Sequence, residues 1–456
     1  MSDVPQEPEE ERPSWSRLFS PHDWWCHAVW FVAASLAGAG ALAFYYADLY
    51  AAEFVHWALE SSPLLPALFV TIGIVVVCRL RDLVFPGTEG TGIPQTIAAL
   101  KIPEGPGRSA VLSLWIAAGK ILLLTIGLFS GATIGREGPS VHVGACFMYL
   151  SSKLARFPGH LVERGMILAG GAAGIAAAFN APISGTIFAL EEIGRSFEKN
   201  NAGTIIRTVA VACIVCIIFL GIYHFYGHEV ENAALVGSTW EHTVRAWLAV
   251  PVLGVVFGLL GGLFAQAVAS TSPRIVRLSR QNPYLTAISL GLAMAAIGLL
   301  SDGLSYLSGY SEAKVILTSE HNNIPWHYPF FKAAASFVSL ISGIPGGLFD
   351  PSLSVGAGLG QLVRPLFPYT PAQALVLLAM VSYFSGVVQS PITAFVILGE
   401  MTGAWQMALP MMVASILAYE ISRLVCPVSL YESLAHSFLR AQEQHQQQKL
   451  QAAENA

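Results

Sequence analysis

Long apolar runs dominate the sequence and limit it to few folds. They include Val29–Tyr46, Leu64–Cys78, Val111–Gly135, Met166–Leu190, Thr204–Tyr223, Ala246–Ala269, Leu285–Leu300, Ala374–Leu398 and Met407–Ala418. Several exceed the ~20 residues that carry a helix across a bilayer. In lipid every backbone polar group must be satisfied internally, so only helices or closed barrels span it. The runs are too long and too unalternating for barrel strands. Only 12% of the 456 residues are charged, about half the share usual in soluble domains. The sequence therefore predicts an all-α polytopic membrane protein.

Charge placement suggests an orientation. Basic clusters (Arg79/Arg81, Lys153/Arg156/Arg164, Arg195/Lys199/Arg207, Arg274/Arg277/Arg280) are read as cytoplasmic loops, and acidic ones (Asp48/Glu53, Glu229/Glu231/Glu241, Glu312/Glu320) as external. Arg423 and Arg440 put the C-terminus in the cytoplasm too. The start is acidic, with Glu9, Glu10 and Glu11 in a row, and lacks the pattern of a signal peptide. The expected organisation is a cytoplasmic segment over 1–24, a membrane half over 25–223, an external loop over 224–245, a second half over 246–431 and a cytoplasmic tail over 432–456. The six cysteines form no disulfide framework, and Cys213 and Cys216 read as small packing residues. His224 and His228 have metal-ligand spacing but no third ligand, so no metal is expected.

Glycine and proline break the apolar runs at Gly90-Thr91-Gly92-Ile93-Pro94, Gly135-Arg136-Glu137-Gly138-Pro139, Asn180-Ala181-Pro182 and Gly347-Leu348-Phe349-Asp350-Pro351. Irregular backbone at membrane depth survives only inside protein or around a watery cavity. The breaks also repeat. Pro182 and Glu191 align with Pro391 and Glu400 at a separation of 209 residues, and Gly135 with Gly347 at 212. The chain is thus two related halves, an organisation that places transport sites at the interface between halves. The alignment alone leaves open whether the halves are inverted.

Proline suits the first turn of a helix. Three of the breaks (Gly90–Pro94, Gly135–Pro139, Gly347–Pro351) would therefore start helices whose free N–H groups face mid-membrane. Converging helix starts make an anion site without a full positive charge. The three motifs, in this order, resemble the signature of the CLC chloride channel/transporter family: G-S-G-I-P, then G-R/K-E-G-P, then G-x-F-x-P. The likeness runs from Gly90 to about Leu439 and includes Glu400-Met401-Thr402 and Leu430-Tyr431. The chain resembles the prokaryotic chloride/proton antiporters of that family that lack cytoplasmic regulatory domains.

The resemblance implies a fold of two inverted halves with broken, tilted helices, in a bacterial inner membrane. It implies that Thr91 and Tyr431 supply hydroxyls, and Leu348 and Phe349 backbone N–H groups, to a central chloride. Glu137 matches the gating glutamate. Thr91 departs from the family's usual serine, keeping the hydroxyl and adding a methyl group, which bears on fine selectivity. It also implies a homodimer with one pathway per subunit. Chloride is expected as substrate, with protons as the coupled ion, and no cofactor, metal or nucleic-acid partner.

The residues themselves support a role for Glu137. An ionised carboxylate is an anion and can fill an anion site; once protonated it can leave. Ionisable groups at this depth are costly and functional by default. Of the pair Glu191-Glu192, Glu191 has a counterpart in Glu400, whereas Glu192 faces Met401. Glu191 therefore reads as architectural and Glu192 as the inner proton-transfer group, as in proton-coupled family members. Lys120 is expected either to offset the charge of Glu137 or to snorkel to an interface, and Arg136 to add positive potential at the outer mouth. The reading favours a chloride/proton antiporter over a passive, voltage- or proton-gated chloride channel of the same fold. Fluoride export is disfavoured by Tyr431 and the ordinary G-R-E-G-P. An intramembrane hydrolase built on Ser140 or His142 lacks a nucleophile motif.

Overall fold

The computed structural model describes residues 20–155, 162–194, 199–221, 224–227, 230, 233–235, 240–319 and 322–454. Glu9, Glu10, Glu11, Arg156, Arg195, His228, Glu229, Glu231 and Glu320, used in the charge and metal readings above, lie outside them. The first half holds α1 (Pro21–Ser61), α2 (Leu64–Leu83), α3 (Ile93–Lys101), α4 (Pro106–Ser109), α5 (Leu114–Phe129), α6 (Glu137–Leu154), α7 (Val162–Phe179), α8 (Pro182–Phe188) and α9 (Lys199–Leu220). The second holds α10 (Trp240–Trp247), α11 (Ala249–Gln281), α12 (Pro283–Leu300), α13 (Tyr310–Thr318), α14 (Tyr328–Ser342), α15 (Phe349–Val363), α16 (Ala372–Val388), α17 (Pro391–Thr402), α18 (Ala408–Val425) and α19 (Leu430–Glu454).

Among the described residues, seven candidate spans are long and apolar enough to cross a membrane. Their outer faces carry large apolar side chains such as Leu68, Ile72, Ile214, Ile218, Leu285 and Leu292, as lipid contact requires. α1 has 41 residues, about 60 Å of helix, roughly twice the hydrocarbon thickness, so it must tilt or protrude. α3 and α13 have nine residues each, about 14 Å, and begin at buried Gly92 and Gly309. Asp48 and Glu53, read above as loop charges, lie within α1, and part of the expected external loop is α10.

The halves are joined across an approximate two-fold axis by exchanged contacts. Gly135 N–H donates to the Gly347 carbonyl (2.9 Å) and Gly347 N–H to the Gly135 carbonyl (2.6 Å), an antiparallel bridge between the aligned breaks. The same exchange recurs at α8 and α17. The Glu191 carboxylate accepts from the N–H groups of Ile392 (3.0 Å) and Thr393 (2.7 Å). The Glu400 carboxylate accepts from those of Ile183 (3.0 Å) and Ser184 (2.7 Å). Each helix thus ends where the other begins, so the two run antiparallel and the axis lies across them: the repeat is inverted. Packing follows suit, with α6 on α7 matched by α15 on α16, and α7 on α9 by α16 on α18. Asn180 (φ 52°) and Gln389 (φ 62°) both take the left-handed conformation just ahead of Pro182 and Pro391.

The glycines of α11 allow close helix contact within the subunit. Gly254 and Gly258 lie against Ala414 and Ala418 of α18, and Gly261 against the backbone of Tyr383 and Gly386 on α16.

The reciprocal caps make Glu191 and Glu400 structural. A hydrogen bond to a charged group is worth about 1.5–3 kcal/mol. Glu191→Ala and Glu400→Ala should each lower unfolding stability in detergent by about 2 kcal/mol or more, and by similar amounts, as read from denaturant titration. A clearly one-sided effect would contradict the symmetry.

Candidate functional site

All three glycine–proline breaks meet at the two-fold axis. Gly90 N–H donates to the Gly343 carbonyl (3.0 Å), tying the first break to the loop of the third. Gly92 (φ 98°) begins α3 hard against His142 and the Gly138 carbonyl, where any Cβ would collide. Gly138 in turn faces the Thr91 backbone. The first turns of α3, α6 and α15 therefore converge, each with N–H groups that have no intrahelical partner. None of the three is capped by its own N-cap side chain.

Buried lysines hold the breaks in shape. The Lys120 ammonium donates to the carbonyls of Glu89 (3.2 Å) and Gly90 (2.6 Å), not to Glu137. It neither snorkels nor pairs with Glu137: it is fully buried and anchors the first break. A planar trans peptide points its N–H opposite its C=O. Holding the Gly90 carbonyl thus turns the Thr91 N–H away from the lysine. Lys332 lies 212 residues on and does the same for the carbonyls of Ser305 (3.2 Å), Tyr306 (3.0 Å) and Leu307 (2.9 Å). Those residues lead into Gly309 (φ 84°) and α13, so the second half has its own counterpart of the first break. The sequence reading missed it because it carries no proline. The lysine spacing was the available signal.

Glu137, the first residue of α6, folds its carboxylate back over Gly135 and Gly347, where a Cβ on either glycine would overlap it. Its Oε1 accepts the Asp350 N–H at 3.1 Å, so the carboxylate sits on the N-terminus of α15. The helix end stabilises negative charge there. Arg136 stacks over Tyr45 (4.8 Å) and Phe225 (5.5 Å) beside it. Leu348 is the N-cap and Phe349 the first residue of α15, which places their N–H groups in the same uncapped turn. Ile93 and Pro94 open α3, and Pro139 and Pro351 lie in the first turns of α6 and α15.

Thr91 and Tyr431 are buried, and neither hydroxyl has a hydrogen-bond partner among the described residues. Buried polar groups left unpaired call for an explanation, and a bound anion would supply one. Tyr431 opens α19, which packs on α3. Its ring lies 6.4 Å from that of Phe349, itself surrounded by Phe179, Phe188 and Phe384. Tyr431 stands within the electrostatic reach of both Glu137 and Glu192.

Glu192 is buried and accepts hydrogen bonds from Ser390 (2.9 Å) and Ser429 (3.2 Å), the latter two residues before Tyr431. It lies in a π-helical turn over Ala189–Gly194, a rare local geometry frequent at functional sites. That turn aims Glu191 at α17 and Glu192 inward. The two serines escaped the sequence reading, since nothing local distinguishes them. Ser140 and His142 are not joined: Ser140 donates to the Arg136 carbonyl (2.9 Å), and the His142 ring bonds the Val111 carbonyl (3.0 Å). Cys213 and Cys216 are buried free thiols. His224 is hydrogen bonded to the Glu400 carbonyl (2.9 Å).

The family model for "Voltage gated chloride channel" matches residues 72–423. The fold is similar to that of a slow cyanobacterial Cl-/H+ antiporter, at 20% identity and TM-score 0.76 over 93% of this chain and 100% of the other. It is also similar to a CLC-type fluoride/proton antiporter, at 22% and 0.75 over 91% and 99%. A eukaryotic CLC transporter matches at 21% and 0.71 over 90% and 74%. With most of its length covered by the family match, the chain belongs to the voltage-gated chloride channel, or CLC, family.

Because Gly347 leaves the space that the Glu137 carboxylate fills, Gly347→Ala should push the carboxylate off the α15 N-terminus. Halide binding, measured by titration calorimetry, is expected to tighten severalfold once this competing anion is gone. Unchanged affinity would mean that the carboxylate and the halide do not compete.

Proposed function

We propose that this membrane protein is a secondary transporter that exchanges chloride for protons. Chloride occupies the centre of the pathway between the hydroxyls of Thr91 and Tyr431 and the N–H groups of Leu348 and Phe349. Glu137 is the outer gate and Glu192 the inner proton-transfer group. The observation that carries the reading is the seat of Glu137. A carboxylate on an uncapped helix end competes directly with an anion for the same N–H groups, so anion entry and proton uptake by Glu137 are one event. A proton on Glu137 removes its charge, and the residue can then yield the helix end.

The inner half of the proton route is supported by Glu192, a buried carboxylate without a partner in the repeat, held by two hydroxyls near Tyr431. Tyr431, reached by the fields of both glutamates, stands where the proton and anion routes would meet. The central site carries no lysine ammonium, since Lys120 and Lys332 are spent on carbonyls. This suits conduction, which needs sites weak enough to release the ion. The same reading places the protein in a bacterial inner membrane with both termini cytoplasmic, as a homodimer whose subunits each carry a complete pathway.

Reconstituted in liposomes, the wild type should drive protons uphill when given a chloride gradient. Glu137→Ala should abolish proton movement while chloride flux persists. Glu192→Gln should likewise reduce proton movement to background and spare chloride flux. Simultaneous recording of both fluxes tests this, and chloride flux with no proton movement in the wild type would identify a passive channel instead.

A further inference from the structure

The outer carboxylate is not alone. Asp350 follows Phe349 in the first turn of α15 and is 1% exposed. Its backbone N–H binds Glu137 Oε1, and its own side-chain carboxylate lies against that of Glu137. Neither Asp350 oxygen has a hydrogen-bond partner among the described residues, nor has Glu137 Oε2. The fully buried Tyr226 hydroxyl is equally unpartnered and lies within reach of both carboxylates.

The surrounding charges do not neutralise this pair. Arg136, beside α6, reaches both carboxylates but also acts on Asp48 of α1. Lys332 of α14 is engaged by three carbonyls and acts on Asp48 and on Glu312 of α13 as well as on Asp350. Tyr310 of α13 donates to the Phe225 carbonyl, and the Tyr328 hydroxyl of α14 is paired with Ser354. α16 brings no charged side chain. Two carboxylates in contact, out of water, cannot both ionise without severe repulsion. One proton between them gives each a hydrogen-bond partner and leaves a single negative charge on the helix end.

We propose that Asp350 and Glu137 form a carboxyl dyad that shares one proton, and that Asp350 relays protons between external water and the gate. This rests on the reading of Glu137 as the outer gate. With Glu137 ionised on α15, Asp350 holds the proton. When an anion displaces Glu137, the Asp350 O–H bond breaks as the Glu137 O–H bond forms, and Glu137 leaves neutral. The Asp350 carboxylate, now beside the incoming anion, takes a replacement proton from external water. For exchange the anion arrives from the inner side, so the net step takes up one external proton as one anion moves outward to this site. Running backwards, it releases the proton outside and returns the anion inward.

The test combines infrared spectroscopy on purified protein with paired flux recording in liposomes. At neutral pH the wild type should show a protonated-carboxyl C=O band that is absent in Asp350→Asn and shifted in Glu137→Gln, where the acceptor of the shared proton is gone. Asp350→Asn, close to isosteric, should slow chloride-driven proton flux roughly tenfold or more. Asp350→Glu should restore part of it. A structural role alone would give no rescue that follows the carboxyl group. Equal band intensity in wild type and Asp350→Asn would overturn the dyad, and undiminished proton flux in Asp350→Asn would overturn the relay. A wild type that moves no protons would overturn the antiport reading and the relay together, while the infrared comparison would still decide whether the proton is shared.

Discussion

The structure depends on the two hydrogen bonds exchanged between Gly135 and Gly347. Backbone at this depth has no water to satisfy it, so an interrupted helix must find its partners inside the protein. Here each half supplies the other's. Both residues lack a side chain, and the space left beside the bridge receives the Glu137 carboxylate. One constraint, mutual satisfaction of two broken helices, fixes the join between the halves, the direction of α6 and α15, and the seat of Glu137.

Helix starts inside the protein are treated in two ways. Those of α8 and α17 are closed permanently by Glu400 and Glu191, carboxylates locked by several hydrogen bonds across the two-fold axis. The start of α15 is closed by Glu137 through a hydrogen bond of 3.1 Å from the Asp350 N–H. The chemistry of the cap is the same in both cases, a carboxylate on free N–H groups. The cases differ in how firmly the carboxylate is held: two N–H groups bind each of Glu191 and Glu400, and the Asp350 N–H binds Glu137. Lys120 and Lys332 serve the same end from the other side, binding carbonyls so that positive charge stays out of the path.

Much of this was legible in the sequence because membrane burial writes strong signals. Apolar runs announced the helices, and glycine with proline announced the breaks. The offsets of 209 and 212 residues announced the halves. The assignment of Glu191 to architecture followed from its counterpart Glu400, and the exchanged caps bear it out. Inversion was not legible in the repeat itself, since antiparallel and parallel repeats align equally well; only the family resemblance implied it. The break ahead of α13 was hidden because Ser308-Gly309-Tyr310 has no proline. Lys120 was misread toward Glu137 because charge invites pairing with charge, whereas in a broken-helix fold the abundant unsatisfied partner is the carbonyl. Ser390, Ser429 and Tyr226 come from distant segments, and only the folded chain brings them to the carboxylates.

Symmetry explains where the chemistry must break it. A carboxylate at the Glu137 position in both halves would place two like charges at the axis, within the same small cradle. The second half instead puts Phe349 there, an apolar side chain packed among Phe179, Phe188 and Phe384. Glu192 facing Met401 follows the same rule on the inner side. Asp350 is the exception: it returns a second carboxylate to the axis one residue beyond Phe349, at the position aligned with Gly138. A side chain so costly to bury is tolerable beside Glu137 only if the pair seldom carries two charges. On the proposed reading, the residue that most offends the electrostatics of the site is the one that would tie Glu137 most closely to the proton.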